Sequence, residues 1–402
     1  MTGKLKRGVL GLLAGSFLVL TMINPIGAIG PDARSLGMGG ASTAVADGAA
    51  AVYWNPANLA LNPRKFTLLT GLGIEANNNA LTGGDLQRLM SGADVSEFRS
   101  QLETEGLELN AQGVGEVSLS FGSLAFAGVP LAFAQATTDN DFWKVFFLIM
   151  EEEAPDPGIY SGTGNVNGCL LTAYTLSYAR KLPLPGLFPL AVGISGKWLS
   201  GLSYGDITGN VNFTYPPPPG PDPVQNYYIT KSANSGSGLA VDLGLGAKLT
   251  SLIQVGLVFE NLTSSMQWSG TTTTERITGF DPITGKPITT KTEVAETYQT
   301  GLPPVTRLGI AFRPPILGLT LAGDIRMASG QTTYHLGLEW PLWILALRAG
   351  YATDPSGTGM FSAGLGLRLL AFHLDFAVAS PTITDYTTAK AAKLALSGGL
   401  QF

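Results

Sequence analysis

Seven charged side chains interrupt alternating, largely apolar runs of this sequence: Lys197, Asp242, Arg307, Asp324, Arg326, Arg348 and Arg368. Period-two alternation places each on the polar face of its run. Glu116, Lys248, Glu260, Arg313, Glu339, His373 and Asp375 occupy equivalent faces. Two kinds of chemistry suit such a set. Opposite charges pair with one another in a narrow, partly dry interior, which is the expectation for any single one of them. Alternatively, an Arg or Lys holds the carboxylate of a ligand. Nothing points to catalysis. Gly37-Met38-Gly39-Gly40 lacks the Lys-Ser/Thr that follows in a phosphate loop. His335 and His373 have no Cys or second His beside them, and Cys169 is alone, so neither a metal site nor an internal disulfide is expected. Glu151, Glu152 and Glu153 read as a solvated acidic loop rather than a calcium site. The reading is a non-enzyme without a cofactor.

The elements that position these charges follow from composition and period. Charged residues are 13% of the 402, about half the usual share for soluble domains. Yet no run of about 18 apolar residues follows the N-terminal leader, which argues against transmembrane helices. That leader is residues 1–28, a signal peptide with Lys4, Lys6 and Arg7 at its positive end and an apolar core from residue 9 to 23. The net charge of −5 becomes more negative without it, and no basic cluster remains, so nucleic acid is not an expected partner.

From residue 65 the period is two. In residues 319–327, Leu319, Leu321, Ile325 and Met327 oppose Asp324 and Arg326. In residues 360–369, Phe361, Leu365 and Leu367 oppose Ser362 and Arg368. About fourteen such runs can be traced. Their connections alternate between short ones, such as residues 122–123, 250–251 and 341–342, and long ones at 76–111, 135–167, 205–235, 263–303 and 381–391. Short turns on one side and long loops on the other are how outer-membrane barrels are built. The predicted fold is all-β: a transmembrane antiparallel barrel of about fourteen strands over residues 65–402, seated in bacterial outer-membrane lipid. Tyr174, Tyr178, Trp198, Trp340, Trp343 and Tyr351 suit its interface girdles.

Before the barrel, residues 29–64 are built largely from Gly, Ala and other small residues and close on Tyr53-Trp54-Asn55-Pro56-Ala57. Small residues let a backbone fold tightly inside another structure, so this stretch is expected to plug the lumen. Residues 85–108 carry apolar positions at near-helical spacing and predict one or two short helices at the mouth. Residues 142–150 are strongly apolar for a loop. They read either as a strand extension or as an apolar lip where a greasy ligand lands, with Phe142, Phe146 and Phe147 as candidate access residues. Residues 216–223 must be extended, and residues 271–300 read as a protruding hairpin.

The block from residue 34 to 60 resembles the N-terminal signature of FadL-type outer-membrane transport proteins and their PorV-like relatives. The matching pieces are Gly37-Met38-Gly39-Gly40-Ala41, the small-residue step at 44–49, and Tyr53-Trp54-Asn55-Pro56-Ala57, with Asn58 where the carriers commonly have Gly. The resemblance implies a fourteen-stranded barrel with an N-terminal hatch. Gly37, Gly39, Gly40, Asn55, Pro56 and Ala57 fall in that hatch. It also implies passive passage of hydrophobic small molecules, such as long-chain fatty acids or hydrocarbons, into a lumenal pocket and out sideways through the wall. The alternatives are a PorV-like protein that binds or shuttles secreted proteins and a structural barrel without transport. A general porin is disfavoured by the plug.

Overall fold

The computed structural model describes residues 30–151, 158–183, 188–215, 226–280, 287–315, 318–357, 359–382 and 389–402. The leader, residues 216–223, and Glu152 and Glu153 lie outside them. The strands are β1 (Arg64–Asn78), β2 (Leu107–Gly122), β3 (Leu124–Thr138), β4 (Gly158–Leu182), β5 (Leu190–Tyr215), β6 (Asn226–Lys248), β7 (Ile253–Phe280) and β8 (Pro287–Thr300). They continue as β9 (Val305–Phe312), β10 (Thr320–Ala328), β11 (Gln331–Leu342), β12 (Leu345–Thr353), β13 (Gly359–Leu369), β14 (Phe372–Ser380) and β15 (Ala391–Gln401). Neighbours pair antiparallel, and β1 pairs with β15 to close the ring. β7 pairs with β6 along one edge and serves two partners along the other: Ile253 to Glu260 pairs with β9, while Met266 to Phe280 pairs with β8. The closed ring therefore has fourteen strands, and β8 is folded onto it as the return arm of a hairpin.

The faces are inverted relative to a soluble protein. Leu72, Leu239 and Leu336 point outward and are 58%, 68% and 62% exposed, while Ser177, Ser195 and Arg307 point inward and are buried. Apolar side chains outside and polar ones inside are stable only when the surroundings are hydrocarbon. No helix among the described residues is long and apolar enough to cross a membrane.

Two features differ from the expectations. First, β4 to β7 run for 25, 26, 23 and 28 residues, against 8 to 12 for β9 to β15. About ten tilted residues suffice to cross a bilayer. Much of the expected long loops at 135–167, 205–235 and 263–303 is thus continuous ladder rising past the membrane on one side. The alternation fades there because no hydrocarbon demands an apolar face, and Thr, Asn and Gly take over. Second, residues 142–150 are not a strand extension. They lie in a helix, Asn140–Glu151, because Asp139 caps it by accepting from the Phe142 N–H at 2.6 Å, and Trp143 and Phe147 align one turn apart. Short apolar runs do not distinguish the two periods.

The helices fall in two groups. Inside the ring lie α1 (Ala33–Gly37), a 3-10 turn (Gly48–Ala50), α2 (Ala51–Trp54) and α3 (Asn58–Leu61). Over the long-loop end lie α4 (Gly83–Met90), α5 (Arg99–Glu105) and α6 (Asn140–Glu151). The second group packs around Phe98, Leu102, Trp143 and Phe147, all buried. The hairpin expected at 271–300 is the upper part of β7 with β8, its tip at 281–286 lying outside the described residues.

Candidate functional site

The N-terminal segment is fastened to the inner wall by its main chain and short side chains. Asp32 caps α1 through Ser35 N at 2.8 Å and accepts from Trp54 Nε1 at 2.8 Å. Asp324 of β10 accepts from the Ser42 and Thr43 N–H groups at 2.9 and 2.8 Å. Asn55 donates to the carbonyls of Leu245 (3.0 Å) and Thr43 (3.3 Å) and accepts from Ala57 N, which fixes the turn through Pro56. Gln254 donates to Asn58. His335 Nδ1 lies 2.6 Å from the Gly39 carbonyl.

Strand glycines make room for this. A Cβ at Gly193 would overlap the Pro56–Ala57 peptide, one at Gly244 would meet Asn55 and Pro56, and one at Gly256 would meet Asn55 and Thr43. Gly37 lies against Gly364, while Gly39 and Gly40 adopt φ of +65° and +87°, a region that excludes most side chains.

Towards the long-loop end, Val52 and Tyr53 of α2 form the floor of a cavity of about 90 Å³. Its two sides differ. Val114, Val129, Leu131 and Phe133 from β2 and β3 form an apolar side. Lys197, Glu260, Asn261 and Arg326 form a polar one. Asn261 organises the polar side from a left-handed turn of the chain (φ +52°), at the point where β7 changes partners. Its N–H donates to Asp242 at 2.8 Å, its amide donates to the Pro303 carbonyl at 2.9 Å, and its Oδ1 accepts from Lys197 Nζ at 3.1 Å. Lys197 is also 2.8 Å from Asp242. Arg307 pairs with Glu260 and stacks 4.6 Å from the Trp54 ring centroid. Burial pushes the Tyr53 phenol above its usual range, so it remains a neutral donor.

The seven charged residues do not converge. Lys197 and Arg326 reach the cavity. Asp242, Arg307 and Asp324 stand behind it or below it. Arg348 and Arg368 are in a second cluster at the short-turn end, where Glu339 accepts from Arg34 (2.8 and 2.9 Å), Arg348 (2.8 Å) and Arg368 (3.4 Å). Phe142 packs against Gly162 and Gly164 of β4. Phe147 is only 1% exposed, inside the cap. The side chain of Phe146 lies outside what is described. Gly201-Leu202-Ser203-Tyr204-Gly205 has the spacing of a nucleophile elbow, but it runs along β5 without the strand-to-helix turn that chemistry requires.

Sequence reasoning did not single out Pro130. The β2–β3 ladder runs from Leu107↔Thr138 to Val114↔Leu131 and resumes at Val117↔Gly128 in the same register. The missing pairs, at Gly115 and Glu116 opposite Pro130 and Val129, both need an N–H at position 130 to reach the Gly115 carbonyl. Proline has none. The result is a weak seam in the wall, directly beside the apolar side of the cavity. An interior Pro within a run is the signal that could have found it.

No protein-family model and no curated protein matches the chain. Solved structures do. The Ralstonia pickettii toluene transporter TbuX superposes with TM-score 0.54 at 16% identity, over 93% of this chain and 98% of its own. CymD, a monoaromatic hydrocarbon channel, gives 0.54 at 15% over 95% and 99%. A Pseudomonas aeruginosa FadL homologue gives 0.54 at 13% over 96% and 100%. At these identities the likeness is one of fold, and the chain has the fold of the FadL-type transport barrels.

Proposed function

We propose that this protein lets hydrophobic small molecules cross the outer membrane by passive diffusion. In this reading residues 1–28 are removed as a signal peptide, residues 29–64 act as a hatch, and residues 65–402 form the barrel in outer-membrane lipid. A ligand gathers under the α4–α6 cap, rests in the lumenal cavity on Val52 and Tyr53, and leaves sideways between β2 and β3. The observation that carries this reading is the adjacency of the cavity's apolar side to the seam at Pro130. A greasy molecule can then reach the bilayer without crossing a watery channel.

Pro130→Val tests the route. Valine supplies the missing N–H and suits a strand. One restored ladder bond of about 1 kcal/mol should slow passage about fivefold. Uptake of labelled toluene and of a labelled long-chain fatty acid into liposomes holding the purified barrel measures this. Unchanged uptake would place the exit elsewhere. Native mass spectrometry of the protein taken gently from its own membrane separates this reading from the PorV-like one: a small apolar molecule bound near one to one favours passage, and a protein partner favours the other.

A further inference from the structure

Among the described residues, Glu116 is a buried carboxyl with neither oxygen hydrogen-bonded. Asp324, Arg307 and Arg348 also leave an atom unmatched, but each is held through its other atoms. Glu116 has no such hold. It is 3% exposed on the inward face of β2. Ser118, two positions along the same face, stands beside it without closing a hydrogen bond of normal geometry. A carboxyl closed off from water without a partner is costly, and the cost is relieved by any donor that arrives.

Its position says what could arrive. Across the seam its missing partner is Val129, which lines the cavity, and Val114, two positions away on its own strand, lines it as well. Two strand positions are about 7 Å. A molecule moving from the cavity toward the seam passes between these valines and meets the carboxyl at the break in the ladder. Resting on the passage reading above, we infer that Glu116 is a specificity determinant at the inner mouth of the seam. It selects apolar molecules that carry a hydroxyl or amine hydrogen-bond donor. Hydrocarbons offer it nothing.

Equilibrium dialysis of the purified full chain in detergent tests this with labelled benzyl alcohol and toluene, each corrected against micelles alone. Hydrogen bonds to ionisable groups are strong enough to expect benzyl alcohol to bind about tenfold more tightly than toluene. Glu116→Leu should bring the alcohol-to-toluene ratio within about twofold of unity. Glu116→Gln, whose amide oxygen still accepts, should keep a ratio of about threefold and stands in if the leucine variant does not fold. A wild-type ratio near one, or a ratio unmoved in both variants, overturns the inference while leaving passage intact. If neither ligand binds the wild-type barrel, the passage reading falls with it.

Discussion

Arg348→Met is expected to remove about 3–5 kcal/mol of the barrel's stability. Its side chain is 0% exposed, with Nε 2.8 Å from Glu339 and Nη1 2.7 Å from Asp375. Glu339 and Arg348 sit directly opposite each other on β11 and β12. Asp375, on β14, is reached across β13, over Gly366, where a Cβ would come within 2.9 Å of the guanidinium. Methionine would fill the volume and leave Asp375 buried without its ion-pair partner, with Glu339 dependent on Arg34 and the distant Arg368. Arg368→Met is the internal comparison. That residue is 40% exposed and 3.4 Å from Glu339, so its loss should cost no more than about 1 kcal/mol. Chemical denaturation in detergent, with heat-dependent gel mobility as the sign of a folded barrel, measures both. Equal effects would mean that the cluster acts as a diffuse field rather than through Arg348.

The same cluster shows what could be read from sequence and what could not. Alternation puts Glu339, Arg348 and Asp375 on the inward face, because each lies between outward apolar residues such as Leu338, Leu347 and Phe376. The pairing of Glu339 with Arg348 then follows from a tight turn between two strands. Arg34 reaching Glu339 across 305 residues has no local signature. Nor do the inward glycines. Gly193 faces Gly244, and Gly256 faces Gly309, in register across neighbouring strands. In one dimension they look like ordinary small residues on a polar face. Only the close approach of the N-terminal segment reveals that they are shaped to it. The helix at Asn140–Glu151 was ambiguous for a different reason: a run apolar at nearly every position satisfies both periods, and its cap, Asp139, decides in favour of the helix.

Gly350→Val should displace the N-terminal segment from the lumen. Gly350 and Gly337 are opposite one another on β12 and β11. A Cβ at Gly350 would overlap the Met38–Gly39 peptide, and one at Gly337 would overlap Met38. The peptide has little room to yield. Met38 is fully buried, Gly39 and Gly40 are locked at positive φ, and the Gly39 carbonyl is held by His335 at 2.6 Å. The wall itself loses nothing, since valine suits a strand and the ladder bonds are unchanged. Overpacking of this kind costs about 1–3 kcal/mol, and the segment can shed it by moving out while the barrel stays closed. Two readouts follow. In a planar bilayer the variant should show open-pore conductance steps that the parent lacks. Trp54, 1% exposed and bonded to Asp32, should become wet, shifting the emission to the red by an amount that Trp54→Phe abolishes. Gly196→Val is the control, because a Cβ there meets nothing within 4 Å. A folded Gly350→Val barrel with the parent's conductance and emission would show that residues 30–62 do not seal the lumen through the Met38–Gly39 turn. The seal would then rest on the Asn55–Ala57 contacts against β5 to β7.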